Sequence, residues 1–168
     1  TEGTLSSKDL ETPGSSPRLL AEGMNQPSTL AVSNGRVYIS SSQGLWRYDV
    51  ASCTHEIVAP VTNNVAGLVV DRSCNRLYLS NRTTNSIQYV SIPSLPLGQG
   101  EMPNDLVTGL LGPAGLTIDD QSRLFFVESY GSVRTVDLCN CLILSLIHFS
   151  EPPLPYLFSY ALFRFHQL

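Results

Sequence analysis

Lysine is almost missing from this 168-residue chain. Of its ten basic residues only Lys8 is a lysine, and the nine arginines are scattered rather than clustered. A nucleic-acid partner needs a basic patch along one face, so none is expected. Charged residues of either sign make up 14%, against about 25% in a typical soluble protein. No apolar run reaches the roughly 18 residues of a membrane-spanning helix, so no span is expected. The three histidines, His55, His148 and His166, share no metal-ligand spacing, and no Cys-x-x-Cys pair is present. There is no initiator methionine and no charged-then-apolar leader, so Thr1 is not expected to begin a full gene product.

What the chain does contain is a repeat. Residues 1–17 are rich in Ser, Thr, Gly and Pro and read as a flexible linker. Then three segments line up: Arg18–Val32 (RLLAEGMNQPSTLAV), Glu56–Val70 (EIVAPVTNNVAGLVV) and Asp105–Ile118 (DLVTGLLGPAGLTI). Each is followed by a polar turn, a strand opening on arginine, a break and another strand. Arg36, Arg76 and Arg123 take equivalent places, 40 and 47 residues apart. The longer interval is explained by a Pro- and Gly-rich insertion, Ile92–Asn104. Alternation puts Val37 and Ile39, and likewise Leu77 and Leu79, on one face with a tyrosine on the other. Asn34-Gly35 is a strong two-residue hairpin signal.

Four short strands per unit of about 40–50 residues is the pattern of a propeller blade. The expected fold is therefore all-β, an incomplete β-propeller of about three four-stranded antiparallel blades. Strands are expected near 28–33, 36–40, 45–50, 66–71, 75–80, 86–91, 115–119, 123–128 and 132–137, with almost no helix before residue 140. The blades are placed at about 18–55, 56–104 and 105–147, with Cys141–Ile147 as the outer strand of the third. Residues 148–168 break the repeat. They read as an atypical tail, either read-through or library-derived sequence or an unusual C-terminal helix.

Ala66–Val90 (AGLVVDRSCNRLYLSNRTTNSIQYV) resembles the NHL repeat, in which an inner strand ending in Asp, a turn, a Leu-Tyr strand and an Ile-Gln strand follow in order. The stretch is also similar to the six-bladed YWTD propellers and to gluconolactonase-like propellers. Tyr78-Leu79-Ser80-Asn81 stands where a YWTD protein has Tyr-Trp-Thr-Asp, which favours the NHL branch. The resemblance implies a non-catalytic binding or scaffold propeller for a protein or glycan ligand, with no cofactor. The alternative it implies is a Ca²⁺-dependent lactonase-like hydrolase. Such enzymes carry an Asn metal ligand immediately before the Gly of the inner strand. Here those places hold Ala66 and Ala114, which offer no ligand atom.

The strand order puts the loops approaching each inner strand and the turns between second and third strands on one face. Candidate ligand contacts there are Asn25, Asn63 and Asn64 in the approaches, and Asn81, Arg82 and Glu128 at the turns. The same Asn residues are also good turn formers. Asp119-Asp120 falls in a turn on the opposite face. Of four cysteines, Cys53 and Cys74 sit at neighbouring blade edges and are expected to bridge if the chain is secreted; the alternative is free thiols. Asn81-Arg82-Thr83 matches an N-glycosylation acceptor at Asn81, which tilts localisation toward the secretory pathway. Open blade faces are expected to favour self-association.

Overall fold

The computed structural model describes residues 2–61, 64–98 and 102–138, and the backbone of 145–149. Among these residues the chain is built from strands, with one short 3-10 turn at Ile92–Ser94. A two-stranded sheet of β1 (Glu2–Ser7) and β2 (Arg18–Asn25) comes first. Blade one follows as β3 (Thr29–Ser33), β4 (Arg36–Ser41), β5 (Gly44–Asp49) and β6 (Thr54–Ala59). Blade two is β7 (Val65–Asp71), β8 (Arg76–Asn81), β9 (Ser86–Ser91) and β10 (Asn104–Val107). Blade three is β11 (Pro113–Ile118), β12 (Arg123–Glu128), β13 (Val133–Asp137) and β14 (Ser145–Phe149). Every pairing is antiparallel and each blade runs in chain order.

Three expectations are corrected. Residues 2–7 of the expected linker form a strand, because Leu5 pairs with Ala21 and is buried with it and Met24. The blade edges at 55/56 and 104/105 cut through β6 and β10. These strands hydrogen-bond back to β5 and β9, so they close the preceding blade. The outer strand of blade three includes Ser145–Phe149, paired with β13, so it runs past Ile147 into the expected tail; residues 141–144 lie outside the described residues. The tail expectation for 150–168 lies outside the described residues.

The backbone repeats as faithfully as the sequence. The residue before each second strand takes a left-handed conformation: Asn34 in a two-residue turn with Gly35, then Asn75 and Ser122, with φ of 49°, 50° and 58°. The residue in each approach loop does the same, at Gln26, Asn64 and Gly112, with φ of 49°, 79° and 62°. Asn tolerates this region better than most residues and Gly tolerates it freely.

The core lies between blades rather than within them. Side chains of one blade alternate between its two neighbours. Val37 and Ile39 pack toward β1–β2 with Met24, while Tyr38 between them joins Leu77 and Leu79 of blade two. Tyr78 points the other way and meets Leu124 and Phe126 of blade three. Leu77, Leu79 and Leu124 are fully buried. Burial of each such side chain contributes about 1.5–3 kcal/mol, so the boundaries carry much of the stability.

Candidate functional site

One face of the blades is formed by the approach loops and the second turns, and backbone hydrogen bonds tie the two together in every blade. The Ser42 N–H donates to the Asn25 carbonyl at 2.9 Å, and the Arg82 N–H to that of Asn64 at 3.1 Å. The Ser129 N–H reaches the carbonyls of Leu111 and Gly112, each at 3.1 Å. Bonds also cross between blades. The Ser28 hydroxyl donates to the Val65 carbonyl at 2.7 Å, and Arg82 Nε to that of Pro113 at 3.3 Å. Asn85 accepts the Gly112 N–H on its side-chain oxygen and the Leu110 N–H on its carbonyl. The loops expected to share a face do share it, and hydrogen bonds join them.

The individual residues divide into two groups. Asn25, Asn64 and Arg82 are exposed on this face. Asn63 lies outside the described residues. Asn81 and Glu128 are not available to a ligand. Asn81 is 1% exposed; its side-chain oxygen accepts the N–H groups of Thr83 and Thr84, and its amide nitrogen donates to Gln88 Oε1 at 3.1 Å. A glycan on that nitrogen would have no room, so the folded chain does not present Asn81 as an acceptor. Glu128 is buried, accepts the Leu111 N–H at 2.7 Å, and stands 2.6 Å from Arg134 Nε in an ion pair. Ser41, Asn81 and Glu128 all end second strands, and all three use buried polar side chains to hold a turn or an approach loop. Strand alternation does not reveal this, because it treats polar strand ends as solvent-facing.

Two exposed side chains on the same face were not among the expected residues. Tyr130 is 82% exposed at the turn of blade three, and Leu111 is 57% exposed in its approach loop. The hydrogen bond from Ser129 to the Leu111 carbonyl brings their loops together, and Arg82 is joined to that approach at Pro113. An aromatic residue inside the turn sequence Glu128-Ser129-Tyr130-Gly131 was the available signal.

The opposite face is built from first and third turns, again bonded in all three blades: Val50 to Gly35, Ile92 to Asn75 and Leu138 to Ser122, each at 2.9 Å. Asp119 serves structure here. Burial raises its pKa, but the backbone N–H and guanidinium of Arg123 and the Gln121 N–H outweigh it and hold the carboxyl below its ordinary value. The expected Cys53–Cys74 bridge is not formed. Cys53 is free and exposed, whereas Cys74 is disulfide-bonded, with its partner outside the described residues. The reason is direction: the turn carrying Cys74 leans toward blade three, where Ser73 Oγ lies 3.4 Å from Ser122 Oγ. Among the described residues no group of three His, Cys, Asp or Glu side chains is placed to hold a metal ion, and no helix is long and apolar enough to cross a membrane.

No protein-family model matches the chain, and no curated protein matches it. Solved structures do. Hydrazine synthase of Kuenenia stuttgartiensis superposes with a TM-score of 0.60 at 16% identity, over 76% of this chain and 37% of that one. A chain of the nidogen/laminin complex gives 0.60 at 18% identity, over 76% and 50%. Streptogramin B lyase gives 0.58 at 16% identity, over 90% and 45%. The chain thus spans half or less of the length of these three proteins. At such identities the likeness concerns fold alone, and with the sheets described above it makes the chain an all-β, incomplete β-propeller.

Proposed function

We propose that this chain is part of a non-catalytic binding propeller of the NHL type, with a ligand face centred on Arg82, Leu111 and Tyr130. The observation that carries this reading is Tyr130, an aromatic side chain left 82% exposed on a hydrogen-bonded loop surface. Exposed tyrosine and arginine on a rigid scaffold are the residue types that dominate binding hot spots. The ligand is a protein or a glycan. A protein ligand is in keeping with the similar chain drawn from a complex of nidogen with laminin. The disulfide at Cys74 supports an oxidising compartment. Ala66 and Ala114, where a lactonase-like propeller carries metal-binding Asn, support a binding role over a hydrolytic one.

The test is a glycan array together with a display library of extracellular protein domains. Both are probed with the native chain, with Arg82→Ala/Tyr130→Ala and with the opposite-face variant Asp120→Ala/Gln121→Ala. Ligands retained by the second variant and lost by the first support the reading. Hydrolysis of an aldonolactone that depends on added Ca²⁺ overturns it in favour of the lactonase-like alternative.

A further inference from the structure

Three sheets among the described residues hold four strands, and one holds two. The short sheet is not a separate unit. β2 runs into β3 through an approach loop with a left-handed residue, Gln26, just as β6 leads to β7 through Asn64 and β10 to β11 through Gly112. By this equivalence β2 is the fourth strand of a blade and β1 its third. The places of the first and second strands are empty among the described residues.

Three observations converge on those places. Among the described residues β1 pairs only with β2, so no described strand satisfies the backbone donors and acceptors of its other edge. A cleft of about 430 Å³ lies between the hairpin and blade one, lined by Leu5, Met24, Pro27, Leu30 and Ile39 among others. Leu30 and Val32 of β3 are 52% and 57% exposed. Their counterparts are covered: Leu68 and Val70 pack in the cluster shared with blade one, and Leu116 and Ile118 in the cluster shared with blade two. The cleft is continuous with an interface already formed, the apolar cluster of Leu5, Ala21 and Met24 against Val37, Ile39 and Tyr48.

We infer that the cleft is the seat of a two-stranded hairpin with the chemistry of this repeat's own first and second strands. Its second strand adds antiparallel to β1, and its first strand lies across Leu30 and Val32. The two internal boundaries show what that hairpin presents. Toward the following blade, β3 offers Ala31 and β4 offers Tyr38; β7 offers Gly67 and Val69, and β8 offers Tyr78. The occupant therefore carries small or β-branched residues on its inner strand and a tyrosine-sized ring on its second. A second copy of this chain cannot supply it intact. Its own first-and-second-strand hairpins are each bonded to a third strand, and donating one would break a blade.

The probe is a synthetic peptide of residues 65–81 with Cys74→Ser, titrated into the full chain. Hydrogen exchange and the thermal midpoint are the readouts. The expected result is slowing of the Glu2–Ser7 amides by about tenfold or more with a rise in midpoint. Both effects should vanish with a Tyr78→Asp peptide and with a Leu30→Asp chain. Because Leu30 is already half exposed, that variant should fold, and its unchanged midpoint without peptide confirms it. The same hairpin joined ahead of Glu2 by a Gly/Ser linker gives an intramolecular version of the experiment, free of peptide solubility. Exchange at β1 that ignores both hairpins overturns the inference. So does concentration-dependent dimerisation that protects β3 while β1 still exchanges, which would identify a second copy as the occupant.

Discussion

Gly67 faces the backbone of Ala114 across the boundary between blades two and three. A Cβ on Gly67 would stand 2.8 Å from both the Ala114 carbonyl oxygen and the Leu116 nitrogen. Inner strands approach here with no room for a methyl group. Gly115 holds the equivalent place one blade later, and nothing lies within 4 Å of where its Cβ would be. Gly67→Ala is expected to destabilise the chain by about 1–3 kcal/mol, because the obstruction is backbone and cannot rotate away. Gly115→Ala should change stability by no more than about 0.5 kcal/mol. Urea unfolding of the two variants separates them, and equal losses would contradict the packing described.

The ion pair of Glu128 and Arg134 is asymmetric, with side chains 1% and 19% exposed. Arg134→Met leaves a buried carboxylate uncompensated and should cost about 3 kcal/mol. Glu128→Gln keeps an oxygen for the Leu111 N–H, and the arginine it releases can reach solvent, so the loss should be nearer 1–2 kcal/mol. Denaturant midpoints measure both, and the reverse order would show that Glu128 matters through the approach loop rather than through charge.

Asp119 and Asp49 both hold their carboxyls below the ordinary range. For Asp49 the Ser52 N–H is the chief cause. A carboxyl lowered by folding contributes stability that is complete above its unfolded value and is lost as pH falls through its folded value. The unfolded chain takes up the proton first, so acid favours unfolding. Thermal midpoints should therefore fall below about pH 4, the unfolded aspartate range. Asp119→Asn should flatten that fall while lowering the plateau at neutral pH. An unchanged acid limb would show that other carboxyls dominate it.

The two described cysteines should differ in reactivity. Cys53 is exposed, and its sulfur contacts the Tyr48 hydroxyl, whose pKa it helps to raise above the ordinary value. A maleimide added to the native chain should label Cys53 and leave Cys74 unlabelled until a reductant is present. Reduction should also lower stability, by about 2–4 kcal/mol. Mass spectrometry of labelled peptides decides it, and native labelling at Cys74 would remove the disulfide from the account.

The blades were legible because their turns are spelled in residues that tolerate left-handed backbone, such as Asn34, Asn75 and Gly112, at matching distances from apolar alternation. β1 was not legible. Its sequence, Glu-Gly-Thr-Leu-Ser-Ser, has one apolar side chain, and pairing with β2 makes it a strand where local propensity does not. The loop face could be read from strand order, but the fate of its residues could not. Whether Asn81 or Glu128 meets solvent depends on hydrogen bonds to Gln88, Thr83 and Leu111, set by tertiary placement. The cysteine pairing failed similarly, since proximity of two blade edges in sequence order says nothing about which way a turn leans.

The left-handed positions of the approach loops make the molecule its own control. Gln26, Asn64 and Gly112 stand at one backbone geometry with three different side chains. Gln26→Gly and Asn64→Gly would grade the tolerance of that geometry within a single polypeptide, whereas Gly112→Ala would also bring a Cβ within 2.6 Å of Ser129 Oγ. Gln26 should gain most from the exchange and Gly112 lose most, with Asn64 between them. Such a series is normally assembled from homologues, whose differing backgrounds blur the comparison. Here the repeat itself places the replicates side by side.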